Sequence, residues 1–234
     1  MRILAFETSA KAGSVALSDD GKLLGEFYLN CGMTHSKTLL KLAEELLAAC
    51  ELAPKQLDAV ACAAGPGSFT GVRIGVAAAK GFAWGAELPC VGVSTLAAMA
   101  QQAREFEGVI CCAMDARREQ VYHAMFSCRG GKLTRLSEDC AISLEELAQR
   151  LKKLESPKIM VGDGARLCYN TIGTVCAGCI CAPEHLAMQR ASGVALVAEE
   201  QLRSGGDFSG AAVIPNYLRL SQAERERAQR LHES

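Results

Sequence analysis

A glycine-rich run between two apolar segments constrains the fold of this chain more than any other feature. It covers residues 65–75 and reads Gly-Pro-Gly-Ser-Phe-Thr-Gly-Val-Arg-Ile-Gly. The apolar residues 57–64 before it predict a buried strand, and residues 70–84 predict a helix. Glycine permits the backbone conformations that a tight strand-to-helix turn requires. The run therefore predicts an α/β protein in which a turn presents backbone N–H groups at a helix start.

The loop that opens this run has two interpretations. Its N–H groups can hold a phosphate, with Gly65 and Gly67 supplying backbone freedom. It can equally be a tight turn without a ligand, in which Ser68 or Thr70 caps the helix. The run matches neither Gly-x4-Gly-Lys-Ser/Thr nor Gly-x-Gly-x-x-Gly, so both interpretations stay open.

The helix after the loop carries small residues on one stripe. Gly71, Gly75 and Ala78 are spaced i, i+4 and i+7 and share a face. Each interior glycine costs about 1 kcal/mol relative to alanine. Close approach of another backbone would compensate, and that backbone belongs either to the chain's own sheet or to a helix of another chain.

Residues 36–50 predict a helix with a wide apolar surface, which covers nearly half of its circumference. A helix that docks on one sheet needs an apolar stripe of only about 100°. The helix is therefore either well buried in its own chain or docked on both the sheet and a partner. Its apolar residues are Leu39, Leu40, Leu42, Ala43, Leu46, Leu47 and Cys50.

The predicted elements form two successive groups. Residues 1–105 begin with three antiparallel strands, joined in part by an Asp20-Gly21 turn, and residues 106–220 repeat the pattern in a shorter form. Residues 221–234 are rich in Arg and Glu and predict a solvated helical tail. Strands are predicted at 3–8, 13–18, 23–29, 57–64, 88–93, 108–114, 119–127 and 158–161, and helices at 36–50, 70–84, 96–104, 143–154 and 187–203.

Charge and hydropathy narrow the function classes. The net charge is −1 and the pI about 6.4, so the chain lacks the basic field that binds nucleic acid by neutralising phosphates. No charged-then-apolar leader and no long apolar stretch is present. We expect a cytoplasmic protein without a membrane partner, which meets RNA only through another subunit.

The twelve cysteines have two interpretations. Cys176, Cys179 and Cys181, with a fourth ligand such as His185, could bind zinc. Cys179 and Cys181, however, alternate along a predicted strand and would face one side, and no second Cys-x2-Cys pair is present. We therefore expect reduced, partly buried thiols that behave as small hydrophobic side chains.

Several separated segments together resemble the TsaB (YeaZ) family. Each motif is short, but their order and spacing extend over essentially the whole chain. In chain order, the matching segments are residues 3–9, 14–17, 34–36, 39–40, 65–75 with 79–81, 93–96, 114–118 with 121–122, 162–164 and 215–219.

The resemblance implies an actin-like ATPase (ribonuclease-H-like) fold of two βββαβα-type subdomains, the second reduced. It implies a role in forming N6-threonylcarbamoyladenosine at position 37 of tRNAs that read codons starting with A. In that family a related partner, TsaD, performs the transfer, and a small ATPase, TsaE, completes the assembly. The TsaB-type subunit binds and activates TsaD through paired helices and can form homodimers through the same face.

Two sets of site residues follow from the resemblance. The expected interface residues are Ser36, Leu39, Leu40, Ala43, Leu47, Gly71, Ile74, Gly75 and Ala78. The expected contacts to a nucleotide or phosphate are Thr8, Ser9, Gly65, Gly67, Ser68 and Thr70. This subunit is expected to need no metal or cofactor by itself, and ATP or ADP with Mg at the complex interface is left open.

The residues themselves favour a subunit that is not an enzyme on its own. The related catalytic subunit holds a metal with His-x3-His on its early helix, whereas here His35 is followed by Leu39, and no two histidines are spaced i, i+3 or i, i+4. Glu7 stands where actin-like kinases carry Asp.

Two enzymatic alternatives remain. An autonomous ATPase or kinase would use residues 65–70 as its phosphate loop and would need a second glycine-rich loop, which residues 115–118 do not offer. Residues 162–164, Gly-Asp-Gly, are the best remaining candidate for that loop, but the motif is too short to be specific. A metallopeptidase would need metal ligands and a general base, and no His-Glu-x2-His is present.

Overall fold

The computed structural model describes residues 1–173 and 176–219 and contains two β-sheets. The first sheet has the strand order β3-β2-β1-β4-β5, with β1, β2 and β3 antiparallel and β4 and β5 parallel to β1. Its strands are β1 (Arg2–Glu7), β2 (Gly13–Asp19), β3 (Lys22–Leu29), β4 (Ala59–Gly65) and β5 (Cys90–Ser94).

The second sheet repeats this topology. Its strands are β6 (Gly108–Asp115), β7 (Gln120–Arg129), β8 (Lys132–Arg135), β9 (Cys140–Ser143), β10 (Lys158–Val161) and β11 (Cys179–Cys181). The order is β11-β10-β6-β7-β8, and the extra strand β9 pairs with β7. The central strand β6 is antiparallel to β7 and parallel to β10, as β1 is to β2 and β4. The predicted actin-like fold with two related halves is therefore confirmed.

Helices cover both faces of each sheet. They are α1 (His35–Ala49), α2 (Phe69–Ala86), α3 (Thr95–Gln101), α4 (Leu144–Lys152), α5 (Ala165–Ile172), α6 (Glu184–Ala187) and α7 (Ala191–Ser204). In β1, Leu4 and Phe6 pack toward α1 and α2, whereas Ile3 and Ala5 pack toward α7. Because both faces are buried, residues 3–6 of β1 form an uninterrupted apolar run.

The two halves are interlocked through α3 and α7. Leu96 and Met99 of α3 pack in the core of the second sheet, whereas Val194 of α7 packs on the first sheet. The two helices also pack against each other, where Gly193 faces the carbonyl oxygen of Ala98. The predicted division near residue 105 separates the two sheets, but α7, which follows it in sequence, lies on the first sheet. Independent subdomains at 1–105 and 106–220 stay a prediction, and the tail at 221–234 lies outside the described residues.

Turn and capping residues in the sequence lie where the strands and helices of the structure begin or end. Asp20 and Gly21 form the β2–β3 turn with positive φ angles of 48° and 75°. The hydroxyls of Ser68, Ser94 and Ser143 cap α2, α3 and α4 by accepting backbone N–H bonds. Side-chain oxygens at these positions satisfy N–H groups that have no partner in the helix.

Several predicted bounds were wrong, and some elements were not predicted. The helix predicted at 187–203 begins at 191, and the helix predicted at 96–104 ends at 101. The unpredicted elements are β8, β9, α5, α6 and a 3-10 turn at Pro54–Gln56. These elements have eight residues or fewer, so too few apolar positions repeat to define a period. No helix among the described residues is long and apolar enough to cross a bilayer.

Candidate functional site

A cleft of about 1130 Å³ lies between the two halves. One wall is formed by Ser9 and the loop Gly67–Thr70, and the other by the β6–β7 hairpin and Asp163. The structure thus brings together four of the six residues predicted to contact a nucleotide, namely Ser9, Gly67, Ser68 and Thr70. The other two, Thr8 and Gly65, are buried behind the wall.

The glycine-rich loop packs closely on its own chain. A methyl group at Gly65 would overlap the carbonyl oxygen of Asn216, and one at Gly67 would overlap that of Ser9. The amide of Ser68 donates to the carbonyl of Ser9 at 2.7 Å, and the amide of Gly71 donates to the Ser68 hydroxyl at 3.3 Å. Two N–H groups that a phosphate cradle would use are therefore bonded within the chain.

The glycine stripe of α2 faces the end of β1. The Thr8 hydroxyl donates to the carbonyl of Gly71 at 2.8 Å. Methyl groups at Gly71 and Gly75 would overlap the carbonyl oxygen and the hydroxyl of Thr8. Of the two alternatives for this stripe, the structure therefore assigns both glycines to close approach within the chain and not to a partner helix.

The cleft is lined by both cations and acids. Lys11, Arg117 and Arg219 contribute positive charge, and Asp115 and Asp163 contribute carboxyl groups. A guanidinium nitrogen of Arg117 lies 3.4 Å from Asp115. The hairpin turn at 117–119 holds Arg, Arg and Glu with positive φ, where a second phosphate loop would need glycines. The β6–β7 hairpin therefore does not supply a second glycine-rich phosphate loop.

Glu7 is fully buried at the end of β1, beside the floor of the cleft. Its Oε1 accepts a bond from the amide of Ser9 at 2.6 Å, while Oε2 has no hydrogen-bond partner among the described residues. Burial raises the pKa of Glu7 to about 7, and the nearby carboxylate of Asp163 adds to the rise, although the bonds from Ser9 oppose it. Burial also raises the pKa of Asp163, to which Gln189 donates at 2.9 Å. Glu7 thus holds a proton for much of the time near neutral pH.

Two of the four histidines, His35 and His123, make structural contacts within the chain. Nε2 of His35 donates to the carbonyl of Ala10 at 2.9 Å, at the start of α1. His123 is buried in the second half, where its Nδ1 bonds the carbonyl of Cys112 at 2.9 Å. Burial lowers the pKa of His123 to about 4. Within residues 1–173 and 176–219, no group of three or more His, Cys, Asp or Glu side chains is placed to hold a metal ion.

All twelve cysteines carry free thiols in the structure, and seven of them are buried. Cys179 and Cys181 pack against the same core, whereas Ile180 between them is 49% exposed. The predicted strand with both thiols on one side is therefore confirmed.

Four of the nine predicted interface residues lie on the outward faces of α1 and α2. Leu40 and Ser36 are exposed, Ile74 and Ala78 are half-buried, and the other five predicted interface residues lie inside the chain. The buried five are Leu39, Ala43, Leu47, Gly71 and Gly75. The first three belong to the core of the first sheet.

Sequence reasoning missed the residues that continue this surface along α2. Trp84 is 86% exposed, and Ala77 and Gly81 are also exposed. The spacing from Ile74 through 77, 81 and 84 follows one helix face, so this signal was available in the sequence. We define the outer helix surface as Leu40, Ile74, Ala77, Ala78, Gly81 and Trp84.

The comparisons with known proteins agree on one family. The family model "TsaD: tRNA N6-adenosine threonylcarbamoyltransferase" matches residues 30–227. The tRNA threonylcarbamoyladenosine biosynthesis protein TsaB of Bacillus subtilis (strain 168) is 34% identical over 227 residues, which cover 96% of each chain. TsaB of Escherichia coli (strain K12) is 39% identical over 167 residues, 70% of this chain and 72% of that protein.

A solved structure agrees with the sequence matches. A Pseudomonas aeruginosa crystal structure, described as an uncharacterized protein with similarity to peptidase YeaZ, has a TM-score of 0.80 and 26% identity. The match covers 93% of this chain and 99% of that one. By sequence and by fold, the chain therefore belongs to the TsaB (YeaZ) family.

Proposed function

We propose that this chain is a non-catalytic subunit that binds and activates the TsaD transferase in the formation of N6-threonylcarbamoyladenosine at position 37 of tRNA. The relatives named TsaB support a role in forming this modified nucleoside. The outer helix surface supports the proposal that the chain acts by binding a partner. Leu40 is 56% exposed and Trp84 is 86% exposed. A surface tryptophan on an apolar helix face is typical of a residue that a partner covers.

The surface suits a partner of related fold. α1 and α2 contact each other and dock on the first sheet through their inner faces. Ala77, Ala78 and Gly81 are small, so helices of a partner can approach α2 closely. The match of a TsaD family model to this chain supports a partner that presents corresponding helices. A second copy of this chain could use the same surface, and TsaE and tRNA would join through TsaD.

Catalysis lies outside this subunit in our proposal. The amides of Ser68 and Gly71 are already bonded within the chain, and the hairpin at 117–119 contains no glycine. The subunit therefore needs no cofactor of its own, and ATP or ADP with Mg would bind only at the interface with TsaD.

The proposal is tested by charge substitution on the outer helix surface. Leu40→Asp should raise the dissociation constant for purified TsaD by at least about tenfold, because a carboxylate would be buried against apolar atoms. Leu136→Asp is the matched control, since Leu136 is 49% exposed and lies outside this surface. Calorimetric titration gives both constants, and equal binding by Leu40→Asp and the parent chain would contradict the proposal.

Trp84 gives an independent signal because it is the one tryptophan of the chain. Burial of Trp84 by TsaD should shift its emission to the blue, and the Trp84→Phe variant supplies the background of TsaD itself. The same mixture, with TsaE, tRNA, ATP and threonylcarbamoyl adenylate, should form the modified nucleoside faster with this chain than without it.

The cleft favours a second candidate, an autonomous ATPase or kinase. Its volume of about 1130 Å³ and its lining by Lys11, Arg117 and Arg219 would accommodate an anionic ligand. ATP turnover by the purified chain with magnesium, abolished by Ser68→Ala and Thr70→Ala together, would favour this candidate over the subunit role.

A further inference from the structure

The last described segment, residues 208–219, runs across both halves of the molecule, and we call it the strap. It begins along the edge of the first sheet, where the amide of Cys90 in β5 donates to the carbonyl of Phe208 at 2.8 Å. Val213 is buried in the core of the first sheet. Its Cγ1 lies 3.0 Å from the position that a Cβ would take at Gly92.

The strap then crosses the glycine-rich loop. The amide of Asn216 donates to the carbonyl of Ala64 at 2.6 Å. The ring of Tyr217 stacks on Phe69, the first residue of α2, with centroids 4.3 Å apart and planes 9° from parallel. Nε of Arg73 donates to the Tyr217 hydroxyl at 2.8 Å, and the Arg73 guanidinium lies 5.4 Å from the Tyr217 ring centre. Three different interactions therefore join one tyrosine to the first turns of α2.

The strap ends on the second half. Leu218 packs against the core that α3 shares with the second sheet, and Arg219 donates to the carbonyl of Ala116 in the β6–β7 hairpin. The residues before Tyr217 are thus bonded to one half, and the residues after it to the other. Arg219 and Ala116 also line the cleft.

We infer that Tyr217 is a positioning residue, which fixes the start of α2 and thereby the outer helix surface with respect to the cleft. Ile74, a member of the outer helix surface, follows Arg73 directly and also lines the cleft. Loss of the Tyr217 ring removes the stacking on Phe69 and the anchor for Arg73, while the inner face of α2 stays packed through Val72 and Val76. The inference on partner binding rests on the proposed function, whereas the local effect on α2 does not.

The local effect is tested by amide hydrogen exchange in the full chain. In Tyr217→Ala, amides of residues 67–74 should exchange on the order of tenfold faster, which is the scale of a lost aromatic pair. Tyr217→Phe keeps the stack and should raise exchange by less than about threefold. Tyr169→Ala is the matched control, because Tyr169 is a half-buried tyrosine of α5 that packs on a different core. It should leave exchange at 67–74 unchanged.

The outcomes separate positioning from general stability. Faster exchange confined to 67–74 and to the strap, with rescue by Tyr217→Phe, supports the inference. Unchanged exchange in Tyr217→Ala overturns it. Equal acceleration in both sheets also overturns it, because that result indicates destabilisation of the whole fold.

Partner binding is measured separately. Tyr217→Ala should weaken TsaD binding by at least about fivefold, and Tyr217→Phe should restore most of it. Ile214→Ala is the control within the strap, since Ile214 is 72% exposed. Failure of the parent chain to bind TsaD would reject the proposed function while the exchange result still decides the role of Tyr217. If Tyr217→Ala exchanges faster but binds TsaD as tightly as the parent chain, the inference that the position of α2 affects TsaD binding is overturned.

Discussion

The hydroxyl of Thr8 donates to the carbonyl of Gly71 at 2.8 Å, across 63 positions of sequence. This contact joins the end of β1 to the first turn of α2. It explains why α2 carries glycines on its inner stripe although each lowers the intrinsic stability of the helix. The glycines on this stripe of α2 therefore allow the helix to pack closely on its own sheet.

Gly71→Ala and Gly81→Ala should change stability in opposite directions. A methyl group at Gly71 overlaps the Thr8 carbonyl, whereas one at Gly81 meets open space. We expect Gly71→Ala to lower the free energy of unfolding by about 1–3 kcal/mol, as overpacking does. Gly81→Ala should raise it by up to about 1 kcal/mol through helix propensity. Urea unfolding followed by circular dichroism measures both, and equal effects at the two positions would refute the packing account.

Glu7 and His123 should make the stability of the fold depend on pH in opposite directions. The pKa of Glu7 rises from 4.5 to about 7 on folding, so the folded state retains a proton that the unfolded chain releases. The contribution of Glu7 to the free energy of unfolding therefore falls by roughly 3 kcal/mol as pH rises from 4.5 to 7. The pKa of His123 falls from 6.5 to about 4. Its contribution is lost as pH falls from 6.5 to 4, by a similar amount of roughly 3 kcal/mol.

Single variants separate these contributions. Relative to the parent chain, Glu7→Gln should gain stability between pH 4.5 and 7, and His123→Leu should gain stability as pH falls from 6.5 to 4. Chemical unfolding at five pH values gives the differences. A difference between Glu7→Gln and the parent that does not change with pH would show that Glu7 is ionised in the folded protein.

Ser94→Ala should destabilise the chain more than Ser143→Ala. Both hydroxyls cap a helix, accepting from Ala97 and Glu146 respectively at 3.1 Å. Ser94 also donates to Asp139 at 2.6 Å and so joins the two halves. We expect losses of about 1 kcal/mol for Ser143→Ala and about 2 kcal/mol for Ser94→Ala. A double-mutant cycle with Asp139→Ala isolates the second interaction, and zero coupling would contradict this difference.

One thiol should react quickly in the folded protein. Cys31 is exposed, and seven of the twelve cysteines are buried. Burial raises the pKa of Cys168 to about 12, so its reactive thiolate is scarce at neutral pH. Labelling with a disulfide reagent should show one fast thiol, absent in Cys31→Ser, and twelve after denaturation. Fast reaction in Cys31→Ser of more thiols than the four half-buried ones, Cys50, Cys140, Cys179 and Cys181, would indicate that the core opens readily.

The structure agrees best with those predictions that rest on residues close together in the sequence. The strand, loop and helix around residues 57–84 were predicted because apolar period, glycine turn and serine cap all act within a few residues. β8 and α5 were missed because their short, mixed sequences carry no period. Trp84 was missed as a surface residue although its spacing from Ile74 placed it on the same helix face.

The sequence alone determined the α/β class, the order of the first elements and the family, because these follow from local patterns and their spacing. Only the tertiary structure decided what those patterns contact. It placed Thr8 against Gly71, packed α7 on the first sheet and joined Arg73 to Tyr217 across 144 positions. It also buried Glu7, and this burial raises the pKa of its carboxyl group to about 7. The physical reason is that burial and close approach are set by residues distant in sequence, whereas propensity, capping and turn preference are set by neighbours.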